Sequence, residues 1–90
     1  METKTVTAGY GILVADRGFV YVGRIAWDGD FALITEASNI RRWGTTRGLG
    51  ELALGGPTAK TQLDPMGTVR VPCRAVISII DTEASKWSAK

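Results

Sequence analysis

The stretch that most narrows what this 90-residue chain can fold into is FVYVGRIAW-DGD-FALIT, residues 19–35. β-Branched and aromatic residues dominate both apolar runs, a composition that suits pleated strands. Asp28-Gly29-Asp30 between them is a hairpin signal. Gly23, in the middle of the first run, predicts a bulge or a bend of the kind a small barrel corner needs.

The rest of the chain extends this pattern. YGILVAD (residues 10–16) is a short apolar run closed by a turn at Asp16-Arg17-Gly18. Asn39–Trp43 reads as a further short strand. In LGELALGG (residues 49–56), Leu49, Leu52 and Ala53 recur at i, i+3 and i+4, which predicts one or two turns of helix stopped by Gly55-Gly56-Pro57. Residues 58–63 are expected to form an edge strand, and Asp64-Pro65-Met66-Gly67 a turn. Residues 68–72 alternate cleanly, and residues 73–80 form the last apolar strand. No pattern is long enough for the helical crossovers of a parallel sheet. The expectation is a mainly β fold: a small, strongly bent antiparallel sheet or barrel with one short helix. It forms a single domain over residues 1–90, with residues 1–9 and 82–90 flexible or interface-forming. Residues 1–9 would fray or make a short edge strand.

Composition limits how such a fold is stabilised. At this size a chain buries roughly 60–65% of the surface it exposes when unfolded, so its core is modest. Hydrophobic content of 44% still marks it as globular. With one cysteine and no histidine, neither an intrachain disulfide nor an ordinary zinc site can help, and homo-oligomerisation is the expected remedy. Cys73, in the apolar run VPCRAVISII, is read as a small buried hydrophobe. The opening METKTVTAG has no signal-like apolar run, and no run approaches the ~20 residues of a membrane span, so a cytoplasmic location is expected.

Charge gathers in one place. The segment Asn39–Pro57 holds Arg41, Arg42 and Arg47 against Glu51, a net +2 equal to that of the whole chain. Trp43, Thr45 and Thr46 lie among them, with five glycines between Gly44 and Gly56. If residues 39–43 are extended, Arg41 and Trp43 share one face and Ile40 and Arg42 the other. A one-residue slip of register exchanges those faces. A guanidinium beside an indole suits a nucleobase with its phosphate. The free N–H groups of a helix start attract anions, and glycine allows close approach. Arg41, Arg42, Trp43, Thr45, Thr46, Arg47 and Gly48 are therefore the expected ligand-binding residues of an anion cradle with an aromatic wall. The competing interpretation makes Trp43 core, the arginines a solvated strand face and the glycines turn residues.

Two motif matches fail on context. Gly48-x-Gly50-x-x-Ala53 has the letters of a dinucleotide fingerprint but not the strand–helix–strand unit around it. No Gly-Lys-Ser/Thr follows the glycines, so there is no Walker phosphate loop. Catalysis lacks its usual acid–base residue, histidine. Asp28 and Asp30 read as turn residues before they read as a carboxylate pair. The chain is expected to be a binder and no enzyme, without cofactor or metal. Trp87, alone in a polar tail, is expected to dock, on its own domain or on a neighbouring subunit. Residues 19–27 are apolar on both faces, which also points to a subunit interface.

Ile40, Arg41, Arg42 and Trp43, then Leu49, Glu51, Leu52 and Ala53, then Ile79 and Ile80, carry a resemblance to a family of small phage and prophage proteins known as a domain of unknown function. The likeness spans most of Gly11–Ile80. In this chain the Arg41–Trp43 spacing is tighter than the family pattern. The resemblance implies a phage setting and no particular activity. By class-level analogy, a small oligomeric phage protein would sequester a cyclic-nucleotide or ADP-ribose-type immune signal, an anti-defence sponge. The alternatives are a small-barrel binder of single-stranded nucleic acid, for which the charge is thin, and a structural or protein-binding phage component.

Overall fold

The computed structural model describes residues 6–87. Five strands, β1 (Val6–Ala15), β2 (Val20–Asp28), β3 (Phe31–Arg42), β4 (Gln62–Pro72) and β5 (Val76–Asp81), form one antiparallel sheet in the order β4-β3-β2-β1-β5. One helix, α1 (Leu49–Gly55), lies between β3 and β4. The outer strands β4 and β5 are not bonded to each other, so the sheet stays open. The chain is thus mainly β, with a bent antiparallel sheet and one short helix, as its patterning requires.

The bends arise from register slips. Between Val22 and Arg24 the β2–β3 ladder slips, and Gly23 lies opposite Glu36 and Ala37. A Cβ on Gly23 would sit 2.8 Å from the Thr35 carbonyl oxygen and 2.9 Å from Ile34 Cγ2, so only glycine lets β3 pass this close. Glu36 takes the left-handed conformation there, with φ 51°. The Asp28–Asp30 hairpin forms, with Asp28 paired to Phe31. Val6–Gly9 pair with β2 alone, because β5 joins β1 only from Gly11, so this part of the first strand is an edge. The remainder of residues 1–9 lies outside the described residues.

Five local expectations need correction. Residues 58–61 are not strand, because β4 begins only at Gln62, and residues 73–75 precede the last strand, which begins at Val76. Asn39–Trp43 is not a separate strand: Asn39–Arg42 end β3, which continues through its bulge because β2 and β4 both pair with it. Asp64–Gly67 is not a turn. It runs within β4 as a bulged segment, with Asp64, Pro65 and Gly67 opposite Asn39, Ser38 and Ala37. Proline is tolerated there because β4 is an edge strand and needs no second partner. Cys73 is exposed, not buried. It opens a short 3₁₀ turn, Cys73–Ala75, between β4 and β5, and its N–H donates to the Asp30 carbonyl at 2.8 Å.

Side-chain alternation splits the core between the sheet faces. On one face Ile12, Val20, Val22 and Ile40 pack beneath Leu52 and Ala53 of α1 and Trp87 of the tail. On the other, Leu13, Ile25, Ala32, Ile34 and Val71 pack together. β2 thus contributes buried residues to both clusters, Val20 and Val22 to one and Ile25 to the other, while Tyr21, Ala26 and Trp27 stay half-buried. Leu52, fully buried, is the helix's anchor, and burying such a side chain contributes about 1.5–3 kcal/mol.

Candidate ligand cleft

The arginine-rich segment follows the end of β3. Ile40 pairs with Leu63 and Arg42 with Gln62, which leaves Arg41 as the unpaired residue of a bulge. From that position Arg41 turns toward β4 and forms an ion pair with Asp64, Nε to Oδ2 at 3.0 Å. Both residues line an open cleft of about 590 Å³ on the helix-bearing face of the sheet. Val22 and Leu63 give the cleft an apolar floor, Tyr10 and Trp87 border it, and Ser38 and Gln62 add neutral polar groups. That volume and mixed lining fall in the range of small-molecule sites.

Beyond Arg42 the backbone is tied down by two threonines that sequence reasoning did not single out. Thr61 Oγ1 donates to the Trp43 carbonyl and Thr58 Oγ1 to the Gly44 carbonyl, each at 2.7 Å. Gly44 has φ 65°, and a Cβ there would fall 2.5 Å from the Lys60 carbonyl carbon, so the two segments cross at backbone contact. Trp43 is 41% exposed and lies outside the lining of the cleft, as does exposed Arg42.

The helix start is closed from within. Glu51 Oε1 accepts from the Thr46 N–H at 3.1 Å, the Arg47 N–H at 3.0 Å and the Thr46 hydroxyl at 3.3 Å. Thr45 Oγ1 accepts from the Gly48 N–H at 3.1 Å. The Thr46, Arg47 and Gly48 N–H groups and the Thr46 hydroxyl, which sequence reasoning offered to an external anion, are engaged with the chain's own carboxylate and hydroxyl. Glu51 occupies the third helical position and reaches back past the N-cap, Gly48, to the two residues before it. The Arg47 side chain sits on the outer surface of α1, beside Gly50 and Leu54. Of the seven expected site residues, Arg41 alone reaches the cleft. Thr45, Thr46 and Gly48 build the helix start, while Arg42, Trp43 and the Arg47 side chain occupy other surface.

Trp87 docks on its own domain and is 4% exposed. Its indole N–H donates to Thr82 Oγ1 at 3.1 Å, and the Thr82 hydroxyl donates to the Ala53 carbonyl at 2.6 Å. The tail is thereby joined to α1 and forms one wall of the cleft. At the other wall, burial pushes the Tyr10 phenol above its ordinary range, opposed by the nearby Arg24 charge and reinforced by Glu36. Arg24 lies 5.9 Å from the Tyr10 ring centroid and pairs with Glu36 at 3.4 Å. Tyr10 is therefore a neutral hydrogen-bonding group at neutral pH.

Among the described residues, no three of His, Cys, Asp and Glu come together in a group that could hold a metal ion. No helix among them is long and apolar enough to cross a membrane. No family model, curated protein or solved structure matches the chain.

Proposed function

We propose that this protein is a non-catalytic binder of an anionic nucleotide, seated in the cleft between β3, β4 and the tail. The observation that carries the reading is the place of Arg41: an exposed guanidinium at the rim of a half-apolar recess between Tyr10 and Trp87. In this arrangement Arg41 meets a phosphate oxygen, the apolar floor takes the base and the neutral polar groups meet ribose hydroxyls. The phage setting and the homo-oligomer belong to the same reading. A second copy would cover exposed apolar residues such as Ile77 on the outer strand β5, and the assembly would sequester an immune nucleotide in the host cytoplasm.

Isothermal titration of the full chain with cyclic dinucleotides, cyclic trinucleotides and ADP-ribose derivatives tests the proposal. Heat is expected with at least one of them and is lost in Arg41→Ala. No heat from any, with folded protein, ends the reading. A protein-docking role is the second reading, favoured by exposed Phe19 and Met66 around Tyr21 and Asn39. Arg41→Ala would leave that role intact.

A further inference from the structure

Resting on the ligand-cleft reading, we infer that the site prefers a phosphate bearing a single negative charge, a phosphodiester, over a doubly charged phosphomonoester, and that Asp64 sets this preference. Among the described residues lining the cleft, Arg41 is the sole cation and Asp64 the sole anion. They form an ion pair, Nε to Oδ2 at 3.0 Å, and the Arg41 side chain is 65% exposed, so a guanidinium with five N–H donors can meet a ligand as well. The neighbouring pair repeats the balance: Arg24, beside the Tyr10 ring, is held by Glu36. Among the described residues, no uncompensated cation lines the cleft.

A phosphodiester places one charge against Arg41. A phosphomonoester brings close to two at neutral pH, its second pKa being about 6. The additional charge falls near the Asp64 carboxylate, which carries no hydrogen to donate and repels it. Because Arg41 and Asp64 are partly exposed, screening limits the discrimination to about three- to tenfold. Ser38 and Gln62 hydrogen-bond to neutral sugar or base atoms and do not restore the missing positive charge.

The test uses the full chain with 3′,5′-cyclic AMP and 5′-AMP as probes, followed by calorimetry and tryptophan fluorescence. Wild type is expected to bind cyclic AMP about three- to tenfold more tightly at pH 7.5. Asp64→Asn should tighten both probes, 5′-AMP more than cyclic AMP, so that the roughly three- to tenfold preference closes. A second measurement needs no variant. Lowering the pH from 7.5 to 5.5 removes most of the second charge of 5′-AMP, so its wild-type affinity should rise toward that of cyclic AMP. The chain has no histidine to titrate in that interval. If both probes bind and Asp64→Asn leaves their ratio unchanged, the assignment of Asp64 is overturned while the ligand cleft stands. If 5′-AMP binds wild type as tightly as cyclic AMP, the charge preference is overturned. If neither probe binds, the inference fails. The ligand cleft itself fails only if the wider nucleotide panel is also silent.

Discussion

The helix start and the β3–β4 cleft use similar parts in opposite ways. Each brings an arginine close to a carboxylate in sequence or in space. At the helix start, one Glu51 oxygen takes three donors from Thr46 and Arg47, and the arrangement is satisfied internally. In the cleft, Asp64 pairs with an Arg41 side chain that stays 65% exposed beside a recess. A concentration of charge thus says little about a site until the local partners have been counted. The closed group belongs to folding and the open one is available for recognition.

Mutations on the two sides should divide between stability and binding. The largest effect is expected from Leu52→Ala, which empties the core position anchoring α1 and should cost about 2–5 kcal/mol in chemical denaturation. Glu51→Ala comes next. It frees the helix-start donors to water and should cost about 1 kcal/mol while leaving cyclic AMP affinity unchanged. A loss of affinity in that variant would erase the distinction between the two regions. Arg41→Ala is the mirror case, since the pair it breaks is exposed. Its stability should stay within about 1 kcal/mol of wild type, even though ligand heat disappears.

The smallest effect concerns Tyr10. Burial raises its folded-state value above the ordinary 10.0, so the unfolded phenol ionises first as pH rises. The neutral phenol's contribution is full below pH 10, declines above it and levels off once the folded phenol also ionises. Tyr10→Phe should remove that part of the decline in denaturation profiles taken across this range. An identical alkaline slope in both proteins would contradict the burial argument.

Local signals were legible where neighbouring residues alone decide the outcome. The Asp28–Asp30 turn, the Gly23 irregularity and the short helix at Leu49–Gly55 are of this kind. What depends on long-range register was not legible. Asp64-Pro65-Met66-Gly67 has turn composition, yet β3 pairs along it and makes it strand, which also brings Asp64 to Arg41. The cleft draws on β1, β2, β3, β4 and the tail, so no contiguous motif could mark Tyr10, Gln62 or Trp87 as its lining. Glu51 is intermediate: its third helical position marks it as a carboxylate that turns back on the helix start, but its partners Thr46 and Arg47, ahead of the N-cap, depend on the loop's path.

Trp87 belongs at once to the packed cluster under α1 and to the wall of the cleft. If the recess binds a nucleotide as proposed, its occupancy and the docking of Trp87 become linked equilibria. A bound nucleotide should slow amide exchange at Lys86 and Trp87, whose N–H groups are already bonded to the Glu83 and Ala84 carbonyls.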